Sequence, residues 1–148
     1  MNRPSRLTHS LAVIALLLAA GTGISACSSS GSPAGATSAS ISTGSHLDPS
    51  AFEAAMTEPN TAIVDVRTPS EFAAGHIAGA INIDIEGADF TSAISSLDQS
   101  KTYALYCHSG RRSGLAITAM QQAGFTSVYD LNGGIQNWQA AGKTLVTG

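Results

Sequence analysis

Cysteine is scarce in this chain. The two present, Cys27 and Cys107, lie in neither a CxxC nor a CxxH arrangement, which leaves no basis for a zinc ribbon or a disulfide framework. The histidines His9, His46, His76 and His108 are too scattered to make a metal cage by spacing, so no metal and no other cofactor is expected. Charge is thin as well, at 11% of residues, and its balance is wrong for nucleic acid. Removing the two positive charges of Arg3 and Arg6 with the N-terminal leader takes the net charge from −3 to −5. No apolar run is long: Leu11 to Ala20 is too short for a spanning helix. There is no internal repeat, and 148 residues leave room for one ordinary domain once the front is set aside.

That front has the layout of a secretory signal. Arg3 and Arg6 precede the apolar run, and small residues follow it to Ile24-Ser25-Ala26-Cys27. These last four resemble the lipobox of bacterial lipoproteins. The resemblance implies a signal peptide over residues 1–26 and Cys27 as the lipidated first residue of the mature chain. Residues 27–45 form a tether, almost wholly Ser, Gly, Ala, Thr and Pro with Ile41 as the one large apolar residue, too poor in burial to fold. Such a segment has a root-mean-square reach of roughly 20–25 Å. The expected location is the bacterial cell envelope, held to the membrane by lipid outside the cytoplasm. With Cys27 blocked, Cys107 would be the one free thiol in a compartment where disulfides form readily.

A folded domain is expected over 46–148. Asp48-Pro49 is a helix start, with Leu47 and Phe52 spaced as a hydrophobic staple, and the helix is predicted to reach Met56. Ala62 to Val66 reads as a buried strand. Thr68, Pro69 and Glu71 spell a capping box for a short helix that Gly75 stops. Ala80 to Ile83 is a short strand, and Phe90, Ile94 and Leu97 give one apolar helical stripe. Thr102 to Tyr106 is a strand, followed after a loop by a helix to about Ala123, where Gly124 closes it. Ser127 to Leu131 is a strand, Asn132-Gly133-Gly134 a turn, and Ile135 to Ala141 a last helix around Trp138. Strands alternating with helices argue for an α/β domain with a mostly parallel sheet.

The chemistry concentrates in Cys107-His108-Ser109-Gly110-Arg111-Arg112-Ser113. A thiol between a strand and a helix start sits where unpaired N–H groups converge and where the helix dipole presents positive partial charge. Arg111, Arg112 and His108 add charge of the same sign. Such surroundings favour the thiolate, the nucleophilic form, and the same cradle holds an anion. Gly110 and the small Ser109 let the backbone curl so that several N–H groups aim at one sulfur.

Over 46–148 the chain resembles the rhodanese family. The matching stretches are Asp65-Val66-Arg67, Glu71 to Ala80, Tyr106 to Ser113, and Leu131-Asn132-Gly133-Gly134 with Trp138. The resemblance implies a rhodanese-like fold, a central mostly parallel sheet flanked by helices on both faces. It also implies transfer of a sulfane sulfur from a small anionic donor such as thiosulfate to a thiol or cyanide acceptor, by way of a persulfide on Cys107. His108 to Arg112 match the active-site loop, and Arg112 falls where the family has a loop-closing arginine. Phosphatases and arsenate reductases on the same fold have a loop one residue longer, and the shorter one here suits a sulfur-sized substituent. The alternatives are a non-catalytic persulfide carrier or binding module, and a phosphatase or arsenate reductase. Protein acceptors are compatible with the pattern and none is named by it.

Other signature residues have plainer expectations. Arg67 is expected to pair with Glu71 at the helix start, and Asp65, at the carboxyl end of a strand, is placed to orient the loop through hydrogen bonds. His76 is expected to hold a turn, and Trp138 to be core.

Overall fold

Five short parallel strands make one sheet, in the order β1 (His46–Leu47), β5 (Val128–Leu131), β4 (Thr102–Tyr106), β2 (Thr61–Asp65) and β3 (Ile81–Asn82). The computed structural model describes residues 41–148; the signal, Cys27 and most of the tether lie outside the described residues. Connecting the strands are α1 (Pro49–Met56), α2 (Pro69–Ala74), α3 (Phe90–Ser95), α4 (Arg111–Gln122) and α5 (Gly134–Ala140).

Alternation along the strands sends side chains to two cores. On one face Val64, Leu105, Val128, Ile94, Ile117 and Met120 pack together, covering the sheet with α3 and α4. On the other Phe52, Ala104, Tyr106, Leu131, Ile135 and Trp138 do so beneath α1 and α5. Burial of each large side chain contributes about 1.5–3 kcal/mol, and Trp138, at 3% exposure, is core as expected.

The helix starts form as local chemistry dictates. The Asp48 carboxylate accepts from the N–H groups of Ser50 and Ala51, both at 2.9 Å. At α2 both bonds of the capping box are present, Glu71 N–H to Thr68 Oγ1 at 3.3 Å and Thr68 N–H to Glu71 Oε2 at 3.1 Å. His76 holds its turn as expected, with Nδ1 3.0 Å from the Phe72 carbonyl and its ring stacked on the Phe72 ring. Its backbone also exchanges hydrogen bonds with Val146, tying the C-terminal segment to the end of α2. The sheet is wholly parallel, and it includes β1, too short at two residues to leave an alternation pattern in the sequence.

Strand order decides where a site can form. From β2 the chain moves outward to β3, while from β4 it moves the opposite way to β5, so the loops leaving β2 and β4 diverge. A crevice opens at such a switch point, outside the carboxyl ends of the two strands. Cys107 follows β4 there, and Arg67 follows β2.

Candidate active site

Cys107 is 1% exposed at the base of the loop, and its Sγ accepts a hydrogen bond from the Gly110 N–H at 3.1 Å. Gly110 takes φ 96°, a left-handed conformation that costs a side chain strain and turns the peptide back toward the sulfur. One N–H, rather than several, reaches the bare sulfur. No acceptor among the described residues lies against the N–H groups of Ser109, Arg111 and Arg112, which stand at the start of the twelve-residue helix α4. These unspent donors, with the helix dipole, are what an anion or an added sulfur would meet. His108, Ser109 and Arg111 are exposed and Arg112 is not fully covered.

The turn Asn132-Gly133-Gly134 serves the loop as well as α5. The N–H of Ile135 donates to the Cys107 carbonyl at 2.8 Å and that of Gln136 to the His108 carbonyl at 3.3 Å. These contacts draw the loop carbonyls toward α5 and away from the anion. Approach is so close that a Cβ on Gly134 would lie 2.4 Å from the Cys107 carbonyl oxygen, and φ there is +60°. Glycine at this position is therefore a condition of loop geometry, beyond the making of a turn.

The two arginines divide. Arg112 grips Glu71 with both terminal nitrogens, at 2.8 and 2.7 Å, and reaches Glu86 at 3.4 Å. Its guanidinium clamps the start of α4 to α2 and is not a free substrate contact. The Arg112 hydrogen bonds hold Glu71 at about 2, well below the usual carboxylate range, against desolvation and helped by the Thr68 N–H and hydroxyl. Glu71 in turn raises Arg112 further above its usual value. Arg111 has no ion-pair partner among the described residues, which leaves an uncompensated positive charge beside the loop.

The folded-state depression of Glu71 has a testable sign. The pair adds stability above the unfolded carboxylate range, roughly 4.3, and loses it as pH falls through about 2. With the Glu71 side chain 31% exposed, solvent screening holds the contribution near 1 kcal/mol or less. Glu71→Gln should therefore be less stable than the parent in urea near neutral pH, and the difference should vanish on acidification toward pH about 2.

Asp65 and Arg67 form a buried pair. The carboxylate accepts from Arg67 Nε at 2.9 and 3.0 Å, from Nη2 at 2.6 Å and from the Arg67 backbone N–H at 2.9 Å, with Asp65 0% and Arg67 4% exposed. Arg67 also donates to the Gly75 carbonyl at 2.7 Å and lies over the Tyr106 ring. The expected Arg67–Glu71 pair is thus replaced: Asp65, on the same strand end, already fills the guanidinium fork, and Arg112 takes Glu71. Asp65 makes no bond to the loop, so it does not orient it directly. Asn82 fixes this strand end by donating to the carbonyls of Asp65 and Arg67.

Residues not singled out in the sequence complete the site. Glu71, expected as half of a capping box and as the partner of Arg67, is instead the anchor of Arg112. Asp130 is buried against Ser113 of the loop, and Tyr106 accepts from the Ile77 N–H, its own ionisation pushed up by burial. A cavity of about 200 Å³ adjoins the loop, lined by Arg67, Glu71, His108, Ile135, Gln139 and Leu145 among others. A larger one of about 340 Å³, between Pro69, Ile83 and Phe90, includes no loop residue, whereas the smaller is lined by His108 of the loop.

Residues 48–141 match the family described as Rhodanese-like domain. The chain is 40% identical over 89 residues to the chloroplastic thiosulfate sulfurtransferase 16 of Arabidopsis thaliana, covering 53% of this chain and 74% of the relative. It is 37% identical over 84 residues to a thiosulfate sulfurtransferase of Pseudomonas aeruginosa, covering 56% and 74%. Among solved structures, a rhodanese-related protein from Thermoplasma volcanium superposes with a TM-score of 0.61 at 30% identity, over 69% of this chain and 97% of the other. Cover of this extent over the strand ends and the loop shows that the chain belongs to the family of rhodanese-like domains.

Proposed function

We propose that the chain is a sulfurtransferase that carries a sulfane sulfur on Cys107. The Cys107 thiolate attacks the outer sulfur of thiosulfate or a related donor, a new S–S bond forms, and the donor bond breaks with its electron pair leaving on sulfite. In the second half a thiol or cyanide attacks the outer sulfur and Cys107 leaves as thiolate, a ping-pong course with no net proton transfer when both nucleophiles are anions. The observation that carries this reading is the loop itself: one N–H on Sγ at 3.1 Å, with further N–H groups unspent at the head of α4. His108 and Arg111 are the side chains for donor capture, and Ser109, Gly110, Arg112 and Ser113 build the cradle.

Purified protein treated with thiosulfate should gain the mass of one sulfur atom on Cys107 and turn over with cyanide. No adduct and no turnover would end the reading. An adduct without turnover would mark a carrier, and turnover of a phosphomonoester or arsenate would mark the phosphatase or reductase chemistry. Arg112 favours sulfur over phosphate, since its guanidinium is already held by Glu71 and Glu86. Arg111→Gln should raise the half-saturating thiosulfate concentration about fivefold, the upper end for an exposed charge pair, and leave the maximal rate nearly unchanged.

The same proposal extends to location: a lipid on Cys27, a tether over residues 28–45, and the catalytic domain at the membrane of a bacterial envelope. Support comes from the signal layout and the Ile24-Ser25-Ala26-Cys27 stretch. Metabolic labelling with a palmitate analogue should mark the parent chain and not Cys27→Ala; equal labelling of both would refute it.

A further inference from the structure

We propose that Asp130 is a positioning residue for Cys107, acting through Ser113 on the loop turn that faces Gly110 N–H to the sulfur. Asp130 lies on β5 and is 0% exposed. Neither Lys nor Arg is within ion-pair distance of it among the described residues. Its Oδ2 accepts from the Ser113 hydroxyl at 2.5 Å, and its Oδ1 lies 2.6 Å from His46 Nδ1, which acts as donor there because a carboxylate can only accept.

Ser113 is also 0% exposed and stands in the first turn of α4, three residues past Gly110. Its Oγ is 3.0 Å from the Gly110 carbonyl as well, but one hydroxyl proton serves one strong acceptor, and the carboxylate is nearer and charged. The Gly110 carbonyl has its own donor, the Gly114 N–H at 3.1 Å. A buried carboxylate held by short contacts, with neither Lys nor Arg beside it, is costly to displace, because moving it breaks those contacts. Asp130 is therefore a stiff peg, set by a strand, to which the head of α4 is tied.

Three independent elements then hold the loop. Helix α5 takes its carbonyls, Glu71 of α2 takes Arg112, and β5 takes Ser113 through Asp130. Only the last acts on the turn at Gly110 from inside the core. Loosening it moves the N–H away from Sγ while Arg111 and the outer donors stay, so it should slow the chemical step and spare donor capture.

The inference rests on the sulfur-carrying reading, and single-turnover loading of the full-length chain with thiosulfate separates the two. Failure of the parent to load refutes the reading. If the parent loads, Ser113→Ala is expected to lower the maximal loading rate about tenfold, since small misplacements at a reacting centre cost one to two orders of magnitude, while half-saturation stays put. Asp130→Asn, which keeps an acceptor for Ser113 but loses the charge that fixes the peg, should load more slowly than the parent and faster than Asp130→Ala, and Ser113→Ala added to Asp130→Ala should cost nothing more than Asp130→Ala alone. A parent-like rate in Ser113→Ala, a rise in half-saturation matching the rate loss, or full additivity would overturn the proposal. Should the buried variants fail to fold, His46→Gln, at an exposed residue, carries the test: a slower maximal rate is expected, and an unchanged one counts against it.

Discussion

Cys107→Ser will fold and will not take up sulfur. The substitution exchanges sulfur for the smaller oxygen at a site 1% exposed, and the Gly110 N–H keeps an acceptor, so the expected stability loss is about 1–2 kcal/mol. Reactivity behaves otherwise. The thiolate is the attacking species in exchange at sulfur, whereas a hydroxyl with no general base beside it stays protonated and weak. His108, the adjacent imidazole, is exposed and has no hydrogen bond to the Cys107 side chain. Sulfur transfer should fall by about a thousandfold or more, to the level of cradle and binding alone. Mass spectrometry after thiosulfate should find no adduct, and the cyanide assay should read background. A variant that still gains one sulfur atom would show that Cys107 is not the carrier.

How much of this was legible in the sequence follows the range of the interactions. Asp48, Thr68 and Glu71 announce helix starts because a cap and its N–H groups lie within three residues. Cys107 and its loop were readable for the same reason, since strand, turn and helix start are contiguous. Partner choice was not. Glu71 is four residues from Arg67 and far along the chain from Arg112, and nothing local says that Asp65 has already filled the Arg67 fork. Nor does spacing say that Ser113 meets Asp130, because β5 lies beside β4 only by virtue of strand order. Gly133 and Gly134 were legible as a turn, but the reason a side chain is barred at Gly134 is the carbonyl of Cys107, distant in the chain. Side chains that grip the loop were thus the least visible part of the site, although Cys107 itself was the most visible.

The Asp65–Arg67 pair carries the other large expected effect. Arg67→Met keeps most of the apolar stem and removes the fork, leaving Asp65 at 0% exposure with no guanidinium against it, and leaving the Gly75 carbonyl without its 2.7 Å donor. Breaking a buried pair from one side costs about 3–5 kcal/mol, mostly the penalty of an uncompensated charge. At about 4–8 °C per kcal/mol for a domain of this size, the melting temperature should fall by about 12–40 °C. The loss should be felt at the site, because Arg67 lies over Tyr106, and the Val66 N–H pairs with the Tyr106 carbonyl one residue before Cys107. Removing both charges should cost less than removing one, so Asp65→Asn combined with Arg67→Met is expected to recover part of the lost stability. Thermal melting of both variants and the parent measures the coupling. An Arg67→Met protein that melts within a few degrees of the parent would mean that the pair contributes nothing there and that another group neutralises Asp65.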